Sequence, residues 1–235
     1  MQEEHISSVF DRDLEGVQAQ IMKMGGLVEE AIRVGAKSLE ARDEELACKV
    51  RERDKSIDDL EHLINERAAR ILALRAPTAI DLRLILSVIK ISSNLERIGD
   101  YAKNMAKRTS VLSRMAPVGD SGASIRRMAR LVEAMLKDAL DAYIRHDAAL
   151  AADVIARDED VDQIYNALFR ELLTFMMEDP RNITACMHLH FIAKNTERMG
   201  DHVTAIAEQV AYLVTGSLPD EPRPKADMTS SVTGI

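Results

Sequence analysis

The sequence predicts an all-α fold, a tandem pair of pseudo-symmetric up-down-up three-helix bundles, and three observations carry that prediction. Aromatic residues make up only 3% of the 235-residue chain, which is rich in Ala, Leu, Met, Glu, Lys and Arg. Those are helix formers, whereas strands favour aromatic and β-branched residues. Apolar residues recur at steps of three, four and seven, the spacing of one helix face. Finally, the chain repeats itself. Asn94-Leu95-Glu96-Arg97-Ile98-Gly99-Asp100 returns as Asn195-Thr196-Glu197-Arg198-Met199-Gly200-Asp201, 101 residues on. Arg53-Asp54 and Ile57-Asp58 return as Arg157-Asp158 and Val161-Asp162, and Leu27-Val28-Glu29 as Leu131-Val132-Glu133, both 104 residues on. Three matching blocks in one order mean a duplicated unit of about a hundred residues.

Each element has its own signals. The first helix spans roughly Asp13 to Ala41. Asp43 is an N-cap for the second, whose apolar positions are Leu46, Val50, Ile57, Leu60, Ile64 and Ile71. Arg75-Ala76-Pro77 stops it, and Thr78 with Asp81 resembles a capping box opening the third. That helix turns Leu84, Val88, Ile91, Leu95, Ile98, Ala102 and Met105 toward a core. In the second copy Asp147 caps the middle helix, and Asp179-Pro180 supplies a cap and an N1 proline for the last. Short connections between long helices make neighbours antiparallel. The expected boundaries are 1–116 for the first bundle, 117–123 for a Gly- and Pro-containing linker, 124–216 for the second bundle, and 217–235 for a Pro-rich disordered tail.

Composition narrows the function classes. A net charge of −8 argues against a nucleic-acid partner, which needs a basic face. No run of about 18 apolar residues occurs and the N-terminus has no signal-peptide pattern, so the expected location is cytoplasmic. Cys48 and Cys186 have no ligand-spaced His or Cys and read as buried reduced thiols.

The candidate chemistry lies in four acidic pairs at i, i+4: Asp54/Asp58, Glu96/Asp100, Asp158/Asp162 and Glu197/Asp201. One such pair signals little, and like charges at this spacing slightly destabilise a helix. Position along the hairpins adds to the signal. At about 1.5 Å per residue, the two pairs of the first copy both lie roughly 25–31 Å from their shared turn. The pairs of the second copy match in the same way. Four carboxylates then converge in each bundle and need cations. Arg97 and Arg198 are the neighbouring candidates, although each points partly away from the adjacent Glu. Metal ions are the alternative, and all-oxygen ligation suits Mg²⁺, Mn²⁺ or iron better than a thiolate-type zinc site. Gly99 and Gly200, mid-helix beside these residues, suggest close helix approach or ligand access. His190, two turns before Glu197, reads as a solvated or core-edge side chain that could also join the second site. Because the acidic stripes flank the apolar ones, the sites are expected at the surface.

No nucleophile elbow, phosphate loop, HExxH or paired-Cys motif is present, and the Glu-x-x-His pairs of di-iron oxidases are missing. The expected function is therefore non-enzymatic. A hydrolase or oxidase using a carboxylate-bridged metal cluster, and a purely structural scaffold, are the alternatives.

His5-Ile6-Ser7 followed by Phe10, Met24-Gly25-Gly26-Leu27-Val28-Glu29, Pro77-Thr78-Ala79-Ile80-Asp81-Leu82-Arg83 and the two N-x-E-R-x-G-D segments together resemble the PhoU family. The resemblance covers about residues 3–215. It implies two three-helix bundles, often in a homodimer, and surface metal clusters on the E/D-x-x-x-D motifs. By that carry-over Asp54, Asp58, Glu96, Asp100, Asp158, Asp162, Glu197 and Asp201 would hold divalent or trivalent ions: iron, manganese, magnesium or zinc. It also implies negative regulation of phosphate uptake and of the phosphate-starvation response. The family's partners are the ATPase subunit of a phosphate ABC transporter and a membrane sensor histidine kinase, so any membrane association is peripheral.

Overall fold

The computed structural model describes residues 2–75, 77 and 79–217, with side chains for residues 12–74, 77 and 79–217. Seven α-helices account for most of them: α1 Gln2–Ala41, α2 Glu44–Arg75, α3 Ala79–Leu112, α4 Ser121–Arg145, α5 Ala148–Ala156, α6 Asp158–Glu178 and α7 Ile183–Thr215. One 3-10 turn, Pro180–Asn182, joins α6 to α7. Among the described residues there is no strand. Helices α1–α3 form one up-down-up bundle, and α4, α5–α6 and α7 form the second. The Thr78 capping box and the chain after Ser217 lie outside the described residues.

The repeat is visible in the caps. Asp43 Oδ1 accepts from the amides of Glu45 (2.9 Å) and Leu46 (3.0 Å), and Asp147 Oδ1 accepts from Ala149 and Leu150 (both 3.0 Å). Before each cap the chain leaves the preceding helix through a left-handed residue, Arg42 (φ 55°) or His146 (φ 52°). The next amide returns to a carbonyl five residues back, Asp43 to Ser38 and Asp147 to Ala142. This closure satisfies the last carbonyls of α1 and α4.

Four features differ from the sequence expectation. The first helix begins well before Asp13, at Gln2. The segment read as linker is partly helical, because Ser121 already opens α4. The middle helix of the second bundle is interrupted at Arg157, whose guanidinium holds Asp138 (2.6 Å) and Asp153 (3.0 Å). Asp158 thus opens α6, where the helix dipole favours a carboxylate, whereas its counterpart Asp54 lies mid-helix. Cys48 also departs from expectation. It is exposed on the solvent face of α2, its thiol donating to Glu52, while Cys186 is buried as expected.

The two bundles share one core. Contacts between α1 and α4 run in opposite directions along the chain: Gly25 meets Leu140, Arg33 meets Glu133, and Glu40 meets Arg126. Helices α3 and α7 are antiparallel too. Arg83 lies over Tyr212, Asn94 bonds His202 (2.7 Å), and Arg108 reaches His188 (3.3 Å) and covers the Phe191 ring. Glu29 and Glu133, equivalent positions of the repeat, face each other across one seam. Tyr101 and His202, also equivalent, meet with tilted rings at 5.7 Å across the other. A pseudo-two-fold axis passes between these pairs. Buried apolar residues from both halves form a single contiguous cluster. Helices α2 and α5–α6 stand outside this four-helix centre.

Candidate functional site

The acidic pairs meet within each bundle. In the first, Lys103 organises them. It lies on α3 three residues beyond Asp100, on the same face, and its ammonium donates to Asp54 Oδ2 across the α2–α3 seam. Asp100 Oδ1 is 3.6 Å from the same Nζ. Burial raises the Asp58 carboxyl above its ordinary value, and Asp54 raises it further, against the pull of Lys103. Burial likewise raises Glu96, with Asp100 and, more weakly, Asp58 adding to it. Asp58 thus feels Asp54 and Asp100, Glu96 feels Asp100 and Asp58, and the hydrogen bond that Lys103 donates to Asp54 raises the Lys103 ammonium in return.

In the second bundle the ammonium is Lys194, three residues before Glu197. Its Nζ stands 2.9 Å from Glu197 Oε1 and 5.1 Å from the centroid of the Tyr165 ring. Burial raises the Glu197 carboxyl, the Lys194 hydrogen bond opposes this, and Asp201 and Asp162 raise it again. Asp158 completes the group. A Cβ built on Gly200 would stand 2.9 Å from Asp158 Oδ1, so only glycine lets α7 approach α6 without moving that carboxylate. Gly99 serves the same end in the first bundle, where a Cβ would meet Ile57 Cδ1 at 3.0 Å.

The sites are less superficial than the stripe pattern suggested. Asp54 is 4% exposed, and Asp158, Asp162 and Glu197 are 6%, 5% and 5% exposed. The reason is where they point: Asp54 faces α3, where Lys103 reaches it, while Asp158 faces Gly200 of α7 and Asp162 faces Glu197, so the neighbouring helix covers each. The two groups differ. The first opens to solvent at Asp58, while the second has three buried carboxylates.

Neither lysine was singled out from the sequence, although a cation one turn from a motif carboxylate is a readable signal. Of the expected arginines, Arg97 Nε lies 3.7 Å from Glu96 Oε2, and Arg198 is exposed. His190 packs among the rings of Tyr165, Phe169 and Phe191.

Whether these groups suit a metal ion turns on three observations. One carboxylate oxygen in each, Asp54 Oδ1 and Glu197 Oε2, is buried without a hydrogen-bond partner. Beside Asp54 and Gly99 lies a cavity of about 20 Å³, room for one water or small ion and far too small for an organic substrate. Among the described residues, however, no three His, Cys, Asp or Glu side chains converge as ligands. The donor type and the excess charge fit a hard cation, but the ammonium of Lys103 or Lys194 stands in each group first.

A duplicated helical bundle with a lysine set against a carboxylate group in each half defines the class, and among the described residues no helix is long and apolar enough to cross a bilayer. A model of the PhoU domain matches residues 21–109 and again 125–210, and the chain belongs to the PhoU family. It is 44% identical over 235 residues, all of this chain and 99% of the relative, to the phosphate-specific transport system accessory protein PhoU homolog of Rhizobium meliloti. It is 45% identical to the Caulobacter vibrioides protein of the same description, over 97% of this chain and 99% of that one. The crystal structure of PhoU from Pseudomonas aeruginosa superposes with a TM-score of 0.86 at 42% identity, over 88% of this chain and all of that one. The phosphate transport system regulatory protein PhoU from Streptococcus pneumoniae superposes at 0.83 and 31% identity, over 90% of this chain and all of that one.

Proposed function

We propose that this protein is a non-enzymatic regulator of phosphate uptake. On this reading it acts in the cytoplasm, as a homodimer, and links the ATPase subunit of a phosphate ABC transporter to a membrane sensor histidine kinase. It restrains the phosphate-starvation response when phosphate is plentiful. The observation that carries the reading is the full-length correspondence with proteins described as phosphate transport accessory or regulatory proteins, across both repeats.

The site chemistry supports docking and sensing. The first group sets four carboxylates against Lys103, with Arg97 beside Glu96, and the second sets four beside Lys194; clustered carboxylates of this kind suit a metal ion or a basic partner surface. Iron, manganese, magnesium and zinc are the candidate ions for Asp54, Asp58, Glu96 and Asp100, and for Asp158, Asp162, Glu197 and Asp201. The test is the pair Glu96→Ala with Asp100→Ala in cells. The variant is expected to lose bound metal by elemental analysis and to derepress phosphate-responsive genes, while its helical circular dichroism persists. Normal repression with unchanged metal content would remove the first acidic group from the mechanism.

A further inference from the structure

We infer that Lys103 and Lys194 are tethered counter-ions holding the cation positions of the two acidic groups, so that a free divalent ion enters each group only by displacing its lysine. The inference rests on the cation reading above and extends it to residues outside the carboxylate motifs.

The geometry points to competition rather than cooperation. Lys103 Nζ sits on Asp54 and 3.6 Å from Asp100, so it bridges α2 and α3 where a shared ligand would bridge them. Lys194 Nζ pairs with Glu197 on its own helix and lies 5.1 Å from the Tyr165 ring of α6. The repeat did not copy these cations. The position equivalent to Lys103 in the second copy is Thr204, and the position equivalent to Lys194 in the first is Ser93. Each half thus retains the carboxylates and supplies one lysine from opposite ends of its motif. Each lysine neutralises part of its carboxylate group, with Arg97 also beside Glu96 in the first, and Asp54 Oδ1 and Glu197 Oε2 stay without a hydrogen-bond partner.

Both ammoniums can leave. The Lys103 and Lys194 side chains are 28% and 27% exposed, and a lysine head on a four-carbon stem can swing into water while its stem stays packed. A divalent ion in the vacated place offsets twice the charge and can accept the spare oxygens as ligands. Its apparent affinity is lowered by the fraction of molecules in which the lysine holds the site. Removing the lysine removes that handicap.

The test uses full-length, metal-free protein titrated with MnCl₂ by calorimetry, with thermal melting followed in parallel. Lys103→Met and Lys194→Met are each expected to bind Mn²⁺ at least tenfold more tightly at one class of site. Each should melt lower than the parent without Mn²⁺ and gain more degrees than the parent when saturated. Lys103→Arg and Lys194→Arg, which keep the charge, should bind as the parent does or more weakly. Should a Met variant fail to fold, Lys103→Gln and Lys194→Gln keep a hydrogen-bond donor without the charge and should show the same tightening. Variants that melt lower but bind Mn²⁺ with parental affinity would overturn the inference and leave the cation reading standing. Absence of Mn²⁺ binding in the parent and in every variant would overturn both.

Discussion

Gly25 and Gly26 are neighbours in sequence and opposites in environment. A Cβ on Gly25 would stand 2.3 Å from Leu140 Cδ1 on α4, inside the seam between bundles, whereas a Cβ on Gly26 would meet nothing within 4 Å. Alanine gains about 1 kcal/mol over glycine in a helix interior, and overpacking a core costs about 1–3 kcal/mol. Gly26→Ala should therefore stabilise the protein by up to about 1 kcal/mol, and Gly25→Ala should destabilise it, as read from urea unfolding. Equal effects of the two would mean that the α1–α4 approach is loose. At this scale the sequence was most legible where a residue's role is local. Asp54 and Asp58 could be placed level with Glu96 and Asp100 by counting rises along two helices. The burial of Asp158, Asp162 and Glu197 could not, because it depends on how closely α6 packs on α7, which Gly200 permits.

At the scale of elements, the caps were readable because an Asp side chain bonds amides two and three residues on, within the reach of a local pattern. The break at Arg157 was not, because its guanidinium answers Asp138 on another helix. The two caps invite a matched comparison. Asp43→Ala and Asp147→Ala each remove an acceptor shared by two amides, at a cost of about 0.5–2 kcal/mol. Asp43 opens a 32-residue helix and Asp147 a nine-residue one, so local loosening should be greater after Asp147→Ala. Hydrogen exchange of the α5 amides should quicken in that variant, with the α2 amides of Asp43→Ala less affected beyond their first turn. Equal protection in α5 before and after the change would show that tertiary packing alone holds it.

For the whole molecule, the seam between α1 and α4 carries an unfavourable meeting of like charges. Burial raises the Glu29 carboxyl above its usual 4.5, and Glu133 and Asp141 add to it while Lys137 and Arg33 oppose. Burial raises Glu133 as well, against Arg33, whose Nε is 3.7 Å away. A carboxyl whose folded value is raised holds its proton in the folded chain over a range where the unfolded chain has released it. Its contribution to stability therefore falls as pH rises from 4.5 through the folded value. Glu29→Gln should melt higher than the parent at pH 7, with the gap closing as pH approaches 4.5. A gap that widens on acidification would contradict this assignment.

The contiguous apolar cluster running through both bundles has a bearing on how such a protein could transmit a signal. Jaws that open would have to tear that cluster and wet side chains such as Ile98 and Met199, both fully enclosed. Whatever this molecule reports to its surroundings, it must report as one stiff body. The available moves are a change of electric charge at the two acidic patches, a change in which outer surface is turned toward a neighbour, or a change in where the body docks.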